Sequence, residues 1–273
     1  MVEFLLEDQY ELFDDLRQRE EVLGTVAETA FTSLLSSEIP GPERLGAVLG
    51  PVARQDRLLF TTFDTAENEF LDRVFLRGAL PELTEGEDWL SVVHDAAVNR
   101  KLDTWLSRSV DYQVAVDPET GEAGALLTVT LRNDAPATLG EYVAGEIGDH
   151  ILDSGEPLAV GNNFARLSVY TGGGLREMRI DGEVADATST SEYGLTRYLT
   201  FVEVPLGGEA VVTFDLAIRL SPGDDYALTL ASQPLVEPAQ WRVSIARADR
   251  TGPVVQSAFA LLEDTVLEAV LTP

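Results

Sequence analysis

The chain contains no cysteine. That removes disulfides, thiolate metal sites and cysteine nucleophiles together, although it does not fix a compartment. Basic residues are scarce. There are 19 Lys plus Arg against 47 Asp plus Glu, a formal net charge of −28, and Lys101 is the sole lysine. No basic stripe occurs anywhere, so the clustered cations that neutralise phosphate are missing, which argues against nucleic acid and anionic lipid as partners. No stretch approaches the roughly 20 apolar residues that span a bilayer. The first residues, Met1-Val-Glu-Phe-Leu-Leu-Glu-Asp, lack the basic region and apolar run of a signal peptide. The chain as it stands reads as soluble, and any targeting segment of an exported protein would lie outside it.

What is present is enough for a core. With 273 residues and 45% hydrophobic residues, the chain can hold one large domain or two ordinary ones. The acids are spread along the whole length, the pattern of a solvated surface. The near-exclusive use of Arg as the base fits a GC-rich genome, and the acid load fits growth in salt, where screening relieves self-repulsion.

Residues 1–107 read as a helix-rich α+β unit. Val22, Val26, Ala30 and Leu34 recur at four-residue spacing beside Leu23, Ala27 and Phe31, which predicts a helix over 19–36 with a broad apolar face. Ile39-Pro-Gly-Pro ends it, and 42–52 predicts a shorter helix. Arg57-Leu-Leu-Phe-Thr-Thr-Phe is strand-like in composition. Asp64-Thr-Ala-Glu67 is a capping-box pattern that starts another helix, with Phe70, Val74 and Phe75 on its buried face. A second strand candidate, Trp89 to His94, precedes a turn or two of helix over 100–106.

From residue 108 the period becomes two. Val110, Tyr112, Val114 and Val116, a turn at Asp117–Gly121, and Leu127, Val129 and Leu131 predict a hairpin. Ala165, Leu167 and Val169 alternate again, and Asp181-Gly182 marks a tight turn. Residues 198–204 and 211–220 form a further candidate pair around Gly207-Gly208, and Tyr226, Leu228 and Leu230 face Trp241, Val243 and Ile245. The fold class expected is α+β: a helix-rich N-terminal unit, then an antiparallel β-sandwich over 108–250, Ig-like or jelly-roll-like, of roughly eight strands. Residues 251–273 form a hairpin or helix packed on it. Residues 133–163 interrupt the pattern with a loop long enough to bind something or carry its own structure.

Catalytic signatures are sparse. His94 and His150 are the only histidines, and His94 falls in an apolar strand, where a packed ring is expected. No Gly-x-Ser-x-Gly elbow exposes a serine. Thr171-Gly-Gly-Gly174 lacks the Lys-Ser/Thr of a phosphate loop and reads as a hairpin turn. With so many acids, paired carboxylates of the glycosidase type carry no information. Oxygen donors for a hard cation could come from Glu85-Gly-Glu-Asp88 or from Asp224 and Asp225, and Asp149 with His150 could join a metal site. Solvated acidic loops are the default reading of these segments, and no cofactor is implied. The polar cluster that stands out is Asn99, Lys101 and Asp103, a candidate ligand contact because it holds the single lysine. A cap and a surface ion pair over packed Trp105 and Leu106 would explain it as well.

These residues carry a family resemblance. Val2-Glu-Phe-Leu-Leu with Tyr10, Phe13 and Arg19; Arg57-Leu-Leu with Asp64, Ala66 and Glu67; Gly78-Ala-Leu-Pro81; Asn99, Lys101-Leu-Asp103 with Trp105-Leu106; Leu131, Asn133 and Ala135-Pro136 with Tyr142-Val and Gly145; and Gln233-Pro234 follow one another in order. The chain thereby resembles the C-terminal half of the bacterial, mainly actinobacterial, domain-of-unknown-function family 4012, departing from it at Thr104 and Trp105. The resemblance implies an extracellular or cell-envelope protein whose anchor and preceding domain lie upstream. It implies a non-catalytic module that binds a protein partner or surface glycan. The alternative is part of an enzyme acting on cell-surface polysaccharide or its lipid-linked precursor, with Lys101 and Asp103 or acids of the 133–163 loop in its cleft.

Overall fold

The computed structural model describes residues 4, 12–13, 15–38, 40–74, 76–80, 86–146, 148 and 150–272. Helix α1 (Leu16–Ser36) starts where the Asp15 side chain accepts from the Arg17 amide, a carboxylate meeting the free N–H groups of the first turn. Helix α2 (Pro42–Arg54) has proline in its first turn, where no amide is needed. Helix α3 (Thr65–Arg73) is capped by Asp64, which accepts from the Glu67 amide at 3.0 Å. The expected return contact from Glu67 runs through a third residue. Thr62 Oγ1 donates to Glu67 and accepts from the Asp64 amide.

Among the described residues thirteen strands follow: β1 (Asp88–Ala96), β2 (Leu106–Val116), β3 (Glu122–Asn133), β4 (Asn163–Thr171), β5 (Gly174–Ile180), β6 (Glu183–Ala185), β7 (Thr188–Glu192), β8 (Leu195–Val204), β9 (Glu209–Arg219), β10 (Asp225–Ala231), β11 (Ala239–Arg247), β12 (Val255–Leu261) and β13 (Thr265–Val270). A short helix, α4 (Glu141–Ala144), sits between β3 and β4. The strands form a six-stranded sheet ordered β13-β10-β1-β4-β8-β7 and a seven-stranded sheet ordered β12-β11-β2-β3-β9-β5-β6. Pairing is antiparallel apart from β1 with β10 and β2 with β11. This is an α+β fold with two mostly antiparallel sheets packed face to face.

The period-two rows explain the packing. In β2, β3, β9 and β11 the inward side chains are buried and their neighbours face out. Tyr112, Leu127, Val129, Phe214, Leu216 and Val243 from the larger sheet meet Leu90, Val92, Leu167, Val169, Val202 and Leu228 from the smaller one in a single core. The two-sheet body extends on both sides of 108–250, because β1 lies in the middle of the six-stranded sheet and β12 and β13 close one side of the sandwich. The N-terminal unit adds to this body from outside: Trp89 and Ser91, on the outer side of β1, are buried beside the segment that holds Leu59 and Gly78–Leu80.

Several local expectations give way to longer-range pairing. β8 and β9 flank Gly207 yet lie in different sheets, and so do β4 and β5 around Gly172–Gly174, so neither connection is a hairpin. β10 and β11 face each other across the core. The final segment is neither a helix nor a hairpin: β12 pairs with β11 and β13 with β10. Residues 57–63 form no strand; the Phe60 amide donates instead to the Leu76 carbonyl at 2.7 Å, just beyond α3. Phe70 is exposed, and Phe75 lies outside the described residues. No helix among the described residues is long and apolar enough to cross a membrane.

Asp88 and His94 are among the polar side chains buried by the sandwich. Asp88 Oδ2 accepts from Tyr112 Oη at 3.1 Å and from Tyr226 Oη at 2.5 Å, tying β1 to β2 and β10. Burial pushes its carboxyl up to about 6, with both tyrosine hydroxyls pulling the other way. His94 Nδ1 lies 3.2 Å from Arg108 Nη1. Burial, and then the Arg108 charge, drop the imidazole to about 3, so the ring is neutral and accepts. These groups oppose each other with pH. Asp88 adds stability that is complete below its unfolded value and disappears as pH rises through about 6. His94 adds stability that is complete above about 6.5 and disappears as pH falls toward 3. Relative to wild type, Asp88→Asn should therefore lose more stability on going from pH 7 to pH 4.5, and His94→Gln should lose less. Thermal unfolding of the three proteins across that range checks both signs, and parallel profiles would contradict the assignment.

Candidate binding surface

The expected polar cluster is found at one end of the sandwich, beside residues that hold backbone. Leu102 is fully buried with Ala135 and Val143 in a small core of its own. Arg100 is buried and donates to the carbonyls of Leu158, Ala159 and Asn162. Asn133 Nδ2 donates to the Gly161 and Val204 carbonyls at 2.9 and 3.2 Å, while its Oδ1 accepts from the Ala135 amide. Together these pin the 134–162 connection, which carries α4 and an Ile151–Pro157 bridge, across the sheet ends. Lys101 Nζ reaches Asn99 Oδ1 at 3.3 Å, and Asp103 Oδ1 accepts from Asn163 Nδ2 at 3.1 Å. Burial raises the Asp103 carboxyl, the Asn163 bond lowers it, and Asp95 raises it again. Neither Lys101 nor Asp103 lines any of the hollows described below.

The cation candidates are dispersed. Among the described residues no three His, Asp or Glu side chains gather as a metal would require. Asp224 lies 4.0 Å from Arg247, Asp225 is an exposed strand start, and His150 packs its ring 5.0 Å from Phe164, which stacks on Phe201. Asp149 and Glu85 lie outside the described residues.

The outer face of the seven-stranded sheet is where polar side chains converge. A hollow of roughly 630 Å³ is lined by Ser109, Asp111 and Gln113 of β2, Thr128 and Thr130 of β3, Gln240 and Arg242 of β11, and Ala258 of β12. Two further hollows of roughly 370 and 540 Å³ adjoin it, sharing Ser109, Thr130 and Gln240 on one side and Gln113 on the other. Strand alternation builds this face: whatever is small and hydroxylic or amidic between the core residues of β2, β3 and β11 must point out together. Asp111 organises its centre, accepting from Gln113 Nε2 at 2.9 Å and from Arg242 Nη1 at 3.2 Å.

The charge on this face departs from that of the chain. Outward positions of its strands carry Asp111, Glu122, Glu177, Glu209 and Asp215 against Arg132, Arg176, Arg179, Arg219 and Arg242, as many arginines as acids. Most are paired across or along strands: Arg242 with Asp111, Arg176 with Asp215 at 3.1 Å, Arg179 with Glu177 at 2.7 Å and Arg219 with Glu122 at 3.9 Å. A molecule with a formal charge of −28 thus presents one broad face that is close to neutral. Sequence reading missed it because its members come from separate strands, and the only local signal is the Ser, Thr and Gln content of the outward positions.

A second hollow type lies on the opposite side. A groove of roughly 610 Å³ runs between the segment holding Leu59 and Leu80 and the outer face of the six-stranded sheet, with Asp56, Ser232 and Asp264 at one end. The Ser232 amide donates to Asp264 at 2.8 Å and its hydroxyl to Asp56 at 3.4 Å. Burial raises both carboxyls, and the Asp264 charge raises Asp56 further.

Two stability predictions separate the roles at the sheet ends. Arg100→Met should cost about 3 kcal/mol or more, since three carbonyls, that of the buried Leu158 among them, lose a buried charged donor, whereas Lys101→Met should stay within about 0.5 kcal/mol. Denaturant titration distinguishes them, and equal losses would contradict the reading. Asn133→Ala should cost about 2–3 kcal/mol by leaving buried carbonyls unpaired, with amide exchange accelerated selectively in 134–162.

No family model matches the chain, and no curated protein matches it. Among solved structures, a candidate nutrient-binding protein from Legionella pneumophila aligns at TM-score 0.32 and 6% identity, over 58% of this chain and 55% of that one. The chain thus spans little more than half the length of that protein. The acetylcholine-binding protein type 1 of Biomphalaria glabrata aligns at TM-score 0.17 and 13% identity, over 76% and 98%. Likenesses this low carry no weight for ligand or mechanism, and the architecture stands on its own strand pairings.

Proposed function

We propose that this chain is a non-catalytic module of the cell envelope whose outer seven-stranded face binds a neutral surface glycan. The observation that carries the reading is the charge-balanced polar hollow around Asp111, Gln113, Gln240 and Arg242. Amide, carboxylate and guanidinium groups fixed on rigid strands match the alternating donors and acceptors of sugar hydroxyls. Acids and arginines offset one another on this face, so it offers a charged polymer of either sign little net attraction, and its fixed donors and acceptors suit an uncharged ligand. The extracellular setting and membership of family 4012 remain part of the proposal and rest on the ordered motifs in the sequence. Two of those motifs have a physical role that supports them as structural signatures. Gln233 continues the β1–β10 ladder with its side chain, accepting from the His94 amide and donating to the His94 carbonyl at 3.0 and 2.7 Å, and Asn133 ties the long connection to β8.

Asp111→Ala would free both Gln113 and Arg242. Affinity for a neutral oligosaccharide found on a glycan array should fall about tenfold or more, with Tm unchanged within about 2 °C. Array and calorimetric titrations that find no neutral glycan, or a variant that binds as well as wild type, would sink the proposal.

The second reading is a polysaccharide-processing enzyme, favoured by the groove that ends at Asp56 and Asp264. Two raised carboxyls within electrostatic reach are what general acid–base cleavage uses. It requires turnover of a surface polysaccharide that Asp264→Asn abolishes and Asp111→Ala spares.

A further inference from the structure

Among the described residues the sandwich has four edge strands, β13 and β7 in one sheet and β12 and β6 in the other. An edge exposes a row of unpaired backbone groups, and proteins commonly guard it with charge or by keeping it short. Three of these edges are guarded: β6 has three residues and contains Glu183, β7 has five and contains Glu192, and β13 contains Glu268. The fourth is not. β12 runs for seven residues, Val-Gln-Ser-Ala-Phe-Ala-Leu, with no charge, no proline and no glycine, and its outward Gln256, Ala258 and Ala260 are exposed.

We propose that β12 is the interface for a second copy of this chain, paired antiparallel about a two-fold axis through Ala258. The choice of occupant follows from the strand. A two-fold axis perpendicular to the sheet keeps outward residues outward, so the register must place residues of equal parity opposite each other. Centred on Ala258, it sets Gln256 against Ala260 and Ser257 against Phe259, with Ala258 against itself. Every outward pair is small or neutral, so no like charges meet and nothing bulky holds the backbones apart. Charge points the same way. Two copies of a molecule with formal charge −28 repel over most of their surfaces, and the face that continues into β12 is the one where acids and arginines balance. Joining there extends each seven-stranded sheet into its neighbour and costs the least in electrostatic repulsion. The hollow bounded by Ala258 and Arg242 then adjoins the same hollow of the second copy. The interface itself is independent of what that hollow binds.

Sedimentation equilibrium of the whole chain tests this. Wild type should form a concentration-dependent dimer that tightens as NaCl rises from about 0.05 to 0.5 M, because screening removes repulsion that acts beyond the strand. Ala258→Lys should weaken dimerisation at least tenfold at every salt concentration, with Tm unchanged when both proteins are compared at a concentration low enough to be monomeric. It lowers the net negative charge, so non-specific association would move the other way. Gln256→Lys combined with Ala260→Glu places opposite charges across the axis twice and should tighten the dimer relative to wild type. A chain that stays monomeric at hundreds of micromolar in 0.5 M NaCl overturns the proposal. So does an Ala258→Lys variant that dimerises as well as wild type, or a double variant that dimerises less well.

Discussion

The structure depends on one constraint: two sheets can exclude water from each other only if the inward positions of their strands are filled. Buried apolar area supplies most of the driving force of such a fold, and here it is collected almost entirely between the sheets. The inward rows of β2, β3, β9 and β11 are continuous from end to end, and only a few polar groups enter. Each of these serves a connection. Asp88 ties three strands through two tyrosine hydroxyls. Arg108 reaches both His94 and Gln233 at the point where β10 ends and β1 continues. Because the core fixes the backbone, the outward side chains are free to vary, and their arrangement is where function can reside.

The acid load makes that arrangement informative. Most of the surface carries unbalanced carboxylates, which keep copies apart and repel anionic polymers. The outer face of the larger sheet is different, with arginine and acid paired along and across its strands around a hollow of hydroxyls and amides. Individual exposed ion pairs contribute little to stability. Their physical consequence is local neutrality and a fixed set of hydrogen-bonding groups. The same neutrality runs on to the unguarded edge at β12, so ligand binding and self-association would draw on one electrostatic feature.

Much of the architecture was legible from alternation. Val110 to Val116, Leu127 to Leu131 and Ala165 to Val169 lie on strands as their period of two requires, and Asp181-Gly182 turns β5 into β6 with both residues at positive φ. Partner identity was not legible. The segments either side of Gly207 pair with β4 and β3, far away in sequence, because consecutive strands here often cross between sheets, and that choice is made by the shared core rather than by the turn. Composition also misled at Arg57–Phe63, where β-forming residues find no ladder to join. At the sheet ends the motif of Asn99, Lys101 and Asp103 was visible, but its weight falls on Arg100 and Leu102 beneath it, whose burial no local pattern reveals. The candidate surface was least visible of all. Asp111 and Arg242 are 131 positions apart and become neighbours only through the parallel pairing of β2 with β11.

The most direct test of the binding face is amide-resolved NMR of the chain titrated with a neutral oligosaccharide. Shift changes should gather on β2, β3 and β11 around Ser109, Asp111, Thr130 and Arg242 and leave the opposite face still. Changes confined to Trp89, Tyr170 and the Asp56–Asp264 groove, or scattered over both faces, would contradict the assignment of function to the seven-stranded sheet.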